Sequence, residues 1–296
     1  MGFRKEAVTQ LLKEAGLTQR ELGNEIGVPQ STVSRWLHMG ITPNMGHLDA
    51  LYRSASNHGV DAEFYVRPTG EEETTQEPES ELSSRIISLE KIKSSNLLIF
   101  VQGSWEIAEN DRNVAASKRV AKEGLASTLL YESSRDWEAL QSAGSQEEWV
   151  GAFGDKNYSD ELAELKALID YVKREHGVDD VYLSGSSFGG GLAVQASDSA
   201  SGLLLACPQI YCPEDGRVGI YQGFPDTEQF LDAISQFQGR LRIIHGDNDD
   251  RVPVNTSTAL YGKAGTEDKR FVLLPGDHTF TDNIEGYVQE HVAIFR

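Results

Sequence analysis

One stretch constrains this chain more than any other: Val181-Tyr182-Leu183-Ser184-Gly185-Ser186-Ser187-Phe188-Gly189-Gly190-Gly191, followed by Leu192-Ala193-Val194-Gln195-Ala196. The opening residues are apolar with a β-branched start and read as a strand; the closing ones are good helix formers. Gly185-x-Ser187-x-Gly189 therefore falls where a strand turns sharply into a helix, the setting of a nucleophile elbow. A serine held on a strained turn projects its hydroxyl outward, and flanking glycines let neighbouring backbone approach without Cβ clashes. The N-terminus of the new helix aims unpaired N–H groups at negative charge developing beside it. Three fixed positions also recur in ordinary glycine-rich strand–helix turns, so the rest of the chain decides what the motif means.

From Arg85 onward, short apolar runs alternate with helical stretches, which predicts a mostly parallel sheet flanked by helices. Strands are expected at 86–89, 97–101, 126–131, 181–183, 202–206, 241–244 and 271–274. Helices are expected at 114–123, 160–175, 189–197, 228–236, 256–262 and 287–294. In the second of these, Leu162, Leu165, Leu168, Ile169 and Val172 share one face. Two further loops stand at strand C-termini, where open α/β sheets place their sites. His245-Gly246-Asp247-Asn248-Asp249-Asp250-Arg251-Val252-Pro253 follows one strand, and Pro275-Gly276-Asp277-His278-Thr279-Phe280 follows the next. The chemistry-bearing residues thus come in the order serine, acid, histidine.

That order, with Gly185-x-Ser187-x-Gly189-Gly190, His245-Gly246-x-x-Asp249-x-x-Val252-Pro253 and Gly276-Asp277-His278-x-Phe280, resembles the α/β-hydrolases over residues 85–296. Small intracellular esterases and the dienelactone-hydrolase and feruloyl-esterase-like branch are the nearest in feel. The resemblance implies Ser187 as nucleophile, His278 as general base and Asp249 as the carboxylate that orients the imidazole. By residue type alone Asp247 and Asp250 compete for the acid role; the family's His-Gly-x-x-Asp spacing selects Asp249. His245 and Asp277 read as loop and strand-end residues. The oxyanion hole implied by the family uses the N–H of Phe188 and one from Gln102-Gly103-Ser104-Trp105, where Ser104 is the expected donor. Two departures stand out. Gln102 replaces the family's usual histidine, and the segment Tyr131-Glu132-Ser133-Ser134-Arg135-Asp136-Trp137, with an insertion to Gly154, lacks the usual pattern. Residues 211–230, with Cys212, Tyr221 and Phe224, are either a lid over the pocket or a surface excursion.

The N-terminal segment reads differently. Val8, Leu11, Leu12 and Ala15 recur at helical spacing before Gly16, and Thr18-Gln19-Arg20-Glu21 spells a capping box. Leu22 and Ile26 face inward on the short helix that follows; Gly27 ends it, and Pro29 opens a second helix with Val33, Trp36 and Leu37 on its apolar face. A further helix is expected over about residues 46–57. Two short helices about a glycine-centred turn make a helix-turn-helix. Residues 19–37 resemble the phage-repressor family (lambda repressor and Cro-like) at Leu22, Gly23, Ile26, Gly27, Val28, Val33 and Trp36. By that resemblance Gln19 clamps the DNA backbone, Arg20 meets a phosphate, and Gln30, Ser31, Thr32 and Arg35 reach into the major groove.

Charge separates the two parts. Residues 1–67 hold seven basic and seven acidic side chains, whereas residues 96–296 hold 17 basic and 32 acidic ones. An acidic body repels phosphate, so DNA contact is confined to the neutral N-terminal segment, and useful affinity there calls for a homodimer. Between the parts lies a run of Glu, Thr, Pro, Gln and Ser too poor in apolar residues to fold. The expected organisation is a small all-α helix-turn-helix domain over 1–66, a flexible acidic linker over 67–84 and an α/β-hydrolase domain over 85–296. Two cysteines, Cys207 and Cys212, exclude a disulfide framework, and no spacing suggests a zinc site. No metal or cofactor is implied. There is no signal-peptide core and no run long enough to span a bilayer, so the expected location is the cytoplasm, with no membrane partner. The functional expectation is a serine esterase acting on a small-molecule ester through an acyl-enzyme, fused to a sequence-specific DNA reader. The alternative is a ligand-sensing regulator whose hydrolase-like domain binds without turnover.

Overall fold

Successive residues of a strand face opposite ways, and the central strands of this chain carry apolar side chains on both sides. In the computed structural model, Leu97, Ile99 and Val101 of one strand join one hydrophobic core, and Leu98 and Phe100 join a second. Leu203 and Leu205 divide from Leu204 and Ala206 in the same way. Such strands must be covered on both faces, which is what the interleaved helices do.

The described residues are 2–3, 5–28, 30–38, 51, 53–55, 57–60, 65–66, 84–104, 106, 110–135, 139–140, 146–212 and 219–296. Contacts divide the chain into two compact units, Met1–Glu77 and Pro78–Arg296. The expected linker lies almost wholly outside the described residues, as do the expected helix's residues 46–50 and the segment 213–218.

The first unit contains α1 (Lys5–Ala15), α2 (Gln19–Glu25) and α3 (Gln30–His38). The capping box forms: Thr18 Oγ1 accepts from the Glu21 N–H at 3.2 Å, and Glu21 Oε2 accepts from the Thr18 N–H at 2.8 Å. Val8, Leu11, Leu22, Val33, Trp36 and Leu51 are buried together, so the helices are held by one apolar cluster. β1 (Gly2–Phe3) pairs antiparallel with β2 (Tyr65–Val66). Strands of two residues have no periodicity, and nothing in the sequence announces them.

The second unit is a seven-stranded sheet with α4 (Asp111–Lys122), α5 (Gln146–Gly151), α6 (Tyr158–His176), α7 (Phe188–Gln195), α8 (Thr227–Gln236), α9 (Asn255–Lys263) and α10 (Ile284–Ala293). Its strands are β3 (Arg85–Glu90), β4 (Asn96–Val101), β5 (Ser127–Glu132), β6 (Asp180–Ser186), β7 (Gly202–Ala206), β8 (Arg240–Gly246) and β9 (Lys269–Leu274), in the order β3-β5-β4-β6-β7-β8-β9. All pairings are parallel except β3 with β5. The order turns back at β4: the chain runs outward to β5, then returns to place β6 on the other side of β4. In open α/β sheets, sites form outside the strands' C-terminal ends at such a switch point. One face of the sheet is covered by α6, α7, α8 and α9, the other by α4 and α10. Every expected strand and helix of this unit is present, with ends displaced by a few residues. Along α6, Leu165, Leu168, Ile169 and Val172 are buried as expected and Leu162 is half-buried, while Glu161, which the apolar pattern does not include, is buried with them.

On α10, His291 is fully buried against Phe100, with rings stacked at 5.4 Å. Its Nδ1 lies 2.8 Å from the Tyr287 carbonyl, which can only accept, so Nδ1 carries the proton and Nε2 accepts from Ser184 Oγ at 2.7 Å. Both ring nitrogens are satisfied with the imidazole neutral. Burial pulls its pKa from 6.5 down to about 3, against the opposing Tyr287 carbonyl. The folded state thus binds this proton less readily than the unfolded chain, and stability rises with pH through that window, by about 1.4 kcal/mol per unit. Urea unfolding between about pH 4 and 6 should show this slope, and His291→Gln should lower it by about one proton's worth. An unchanged slope in the variant would contradict the assignment.

Candidate active site

Ser187 sits between β6 and α7 at φ 51°, ψ −119°, a region that β-carbon-bearing residues seldom occupy. What permits it is the absence of neighbouring side chains. A Cβ at Gly185 would lie 2.4 Å from the Gly189 carbonyl oxygen, and one at Gly189 would lie 2.3 Å from the Val101 oxygen. These glycines let α7 start directly against the end of β4. Although Ser187 occupies the N-cap position, its side chain does not cap the helix. The hydroxyl is left for other use.

The loops after β8 and β9 meet beside it. His278 Nδ1 lies 2.8 Å from Asp249 Oδ2, so Nδ1 is protonated and Nε2 is left as an acceptor. Asp249 is fixed by the N–H groups of Arg251 (2.8 Å) and Val252 (2.9 Å), both donating to Oδ1. Burial opposes its ionisation, but hydrogen bonds from His278, Cys207 and the Val252 amide outweigh it and hold the carboxyl well below the usual range. The competing acids are used otherwise: Asp247 accepts from the Gly276 N–H at 3.0 Å, Asp277 accepts from Thr279, and Asp250 is exposed. His245 is buried and neutral, donating from Nε2 to the Val252 carbonyl at 2.9 Å and accepting from Ser257 at Nδ1. The structure therefore brings together Asp249 and His278 in a hydrogen bond, whereas none joins Ser187 to His278.

In the loop after β4, the Gly103 N–H donates to Glu106 Oε2 at 3.1 Å, while the Ser104 and Phe188 N–H groups donate to no acceptor among the described residues. One of these uncommitted amides directly follows the serine in sequence; the other lies in the loop after β4. Gln102, the departure from the expected histidine, is buried and donates to the Tyr131 carbonyl, tying the loop to β5. From the other side, Arg135 donates to the Gly103 carbonyl at 3.1 Å and stands 5.5 Å over the Phe188 ring. Its charge is matched by Glu161 at 2.7–2.8 Å, which explains why that residue of α6 is buried. Within the segment 211–230, Tyr221 and Phe224 are buried against Phe188, and the Tyr221 hydroxyl donates to Gln209 Oε1 at 3.0 Å beside Ser104 Oγ. The described part of this segment is packed against Phe188, the residue after the elbow serine.

Three residues of the site escaped the sequence reading. Arg112 and Arg135 are cations deep in the unit, and Cys207 places its sulfur within 4.8 Å of the Asp249 and His278 donor atoms. Burial and the adjacent Asp249 carboxylate push that thiol's pKa up, so it stays protonated. Arg112 gave no signal in the sequence, because it precedes the helix expected over 114–123; only the observed start at Asp111 puts a cation in the first turn, where it opposes the helix dipole. Glu161 did have a signal, lying at 161, 165, 168, 172 spacing with apolar residues. Of the residues expected at DNA, Gln19 and Thr32 are half-buried on α2 and α3, Arg20 and Gln30 are exposed, and Ser31 and Arg35 lie on α3 with side chains outside the described set.

Solved structures share the fold of the larger unit. Est1E from Butyrivibrio proteoclasticus, solved with ferulic acid bound, is 19% identical with a TM-score of 0.54, over 71% of this chain and 92% of that one. The dienelactone hydrolase of Anabaena variabilis is 16% identical at a TM-score of 0.50, over 69% and 86%. The monoacylglycerol lipase of Paleococcus ferrophilus is 15% identical at 0.50, over 67% and 94%. At these identities the likeness establishes the fold, that of the α/β-hydrolases. Residues 8–51 match the helix-turn-helix family, so the first unit is a helix-turn-helix DNA-binding domain. No curated protein matches the chain. No helix among the described residues is long and apolar enough to cross a membrane.

The glycine argument is testable by thermal unfolding. Gly189→Ala must push aside backbone oxygens and should destabilise by about 1–3 kcal/mol. Gly262→Ala, in α9 with open space around the new methyl, should be stabilising by up to about 1 kcal/mol. Equal melting temperatures for the two variants would refute the close approach.

Proposed function

We propose that the larger unit is a serine hydrolase acting on a carboxylic ester, and that the helix-turn-helix unit reads a specific DNA sequence. The observation that carries the first part is the 2.8 Å bond from His278 Nδ1 to Asp249, because it fixes the tautomer in which Nε2 can take a proton. In this reading Nε2 accepts the Ser187 proton as Oγ attacks the carbonyl carbon. The Phe188 and Ser104 N–H groups stabilise the oxyanion, and His278 returns the proton to the leaving alcohol. Water, deprotonated by the same imidazole, then releases the acid and restores Ser187. The open Ser187–His278 contact fits a resting site, since such bonds commonly tighten only once substrate is bound. The names of the fold relatives, a dienelactone hydrolase and a monoacylglycerol lipase among them, agree with ester chemistry. Incubation with a fluorophosphonate tests the nucleophile: the native protein should be labelled and Ser187→Ala should not, with ester hydrolysis reduced by about 10⁴-fold or more. A protein that binds esters yet neither labels nor hydrolyses them would instead be a ligand-sensing regulator.

For DNA, α3 carries Gln30, Ser31, Thr32 and Arg35 as proposed base readers, and α2 carries Gln19 and Arg20 as proposed backbone contacts. A dimer in the cytoplasm is the proposed binding form, because a segment without net charge gains little from phosphate attraction alone. Binding to a selected operator should weaken linearly in log–log plots against salt, and Gln30→Ala should relax base preference by about 1–3 kcal/mol at one position. Retention of full specificity by that variant would remove α3 as the reading helix.

A further inference from the structure

Arg112 is buried in the first turn of α4, its side chain 5% exposed. A charge in this position is unfavourable twice over, through lost hydration and through the helix dipole. Its partners give the reason. One terminal nitrogen donates to the Thr279 carbonyl at 2.7 Å and reaches the His278 carbonyl at 3.5 Å. The other donates to Ser186 Oγ at 2.7 Å and to the Glu106 carboxylate. The guanidinium also stands 5.2 Å from the Tyr287 ring centre and 6.0 Å from that of Phe280. Glu106, through its second oxygen, holds the Gly103 N–H.

These contacts fall on three loops. Thr279 and His278 belong to the histidine loop, Ser186 immediately precedes the elbow serine, and Glu106 with Gly103 belongs to the loop after β4. A planar, five-donor guanidinium can hold acceptors in several fixed directions at once; an ammonium on a flexible stem cannot. We propose that Arg112 is the positioning residue that locks the histidine loop, the nucleophile elbow and the oxyanion loop into one geometry, acting through the Thr279 carbonyl, Ser186 and Glu106. The inference rests on the serine-hydrolase reading above. Arg112 does not touch the reacting atoms; it sets where His278 and the Ser104 amide stand relative to Ser187. It also consumes the Gly103 amide through Glu106, leaving Ser104 as the donor with no other duty. Because misplacing a catalytic group by about 1 Å costs on the order of a hundredfold in rate, removing the lock should act on turnover more than on binding.

The test uses the full-length chain with p-nitrophenyl butyrate and a fluorophosphonate, comparing the native protein, Arg112→Met, Arg112→Lys and Ser187→Ala. Circular dichroism and thermal melts establish that each variant is folded at the assay temperature. Arg112→Met should lose about a hundredfold in kcat, with KM within about twofold and phosphonylation slowed in parallel. Arg112→Lys, keeping the charge without the fork, should fall between it and the native protein. A group serving only to fill space would leave the kcat of a folded variant at the native value, and that result overturns the inference. Should Arg112→Met fail to fold, Arg112→Lys decides alone by the same criterion. If the native protein itself neither hydrolyses the ester nor takes the label, the serine-hydrolase reading has failed, and this is seen before any variant is compared.

Discussion

The close approach of α7 to the ends of β4 and β6 is the constraint on which the site depends. The Gly189 α-carbon comes so near the Val101 and Gln102 carbonyls that a methyl group would overlap both. Beside that approach Ser187 holds a positive φ, and its side chain does not cap the helix. The same approach sets the Phe188 amide across the switch point from the loop after β4. Strain is concentrated here: the three non-glycine residues with positive φ among the described residues are Ser187, Cys207 and Phe280, ending β6, ending β7 and following His278. Backbone held this far from its preferred regions persists only where surroundings over-determine it.

Those surroundings are unusually polar for a core. Two buried arginines, each with its own carboxylate, stand on either side of the loop after β4. A buried ion pair is weak evidence for stability, since two hydrophobic side chains of similar volume often stabilise as well. Direction is what hydrophobic side chains cannot supply. Arg135 fixes the Gly103 carbonyl and Arg112 fixes the Thr279 carbonyl, so each pair specifies where a peptide unit points. The histidines show the complementary use of burial. His245 and His291 are held neutral by fixed partners on both nitrogens, whereas His278 has a partner on Nδ1 alone.

Much of this was legible in the sequence because its signals were local. Alternating apolar runs located all seven strands of the larger unit, and the Thr18–Glu21 spacing gave a capping box that forms. The short loops after β8 and β9 carried Asp249 and His278 at family spacing, and these two residues are hydrogen-bonded in the fold. What was not legible was non-local. Gln102 finds the Tyr131 carbonyl and Arg135 finds Glu161 only after β5 and α6 are packed in place. Cys207 and Asp249 come together from strands whose partnership no spacing encodes. Polar residues that brace a site look, in one dimension, like residues that face water.

The central claim is a covalent intermediate on one serine. Rapid acid quenching during hydrolysis of p-nitrophenyl butyrate, followed by peptide mass spectrometry, measures it most directly. The account predicts one butyryl group per chain during turnover, carried by the peptide containing Ser187 and absent from Ser187→Ala. Hydrolysis at the native rate with no such adduct, or with the adduct on another residue, would contradict it.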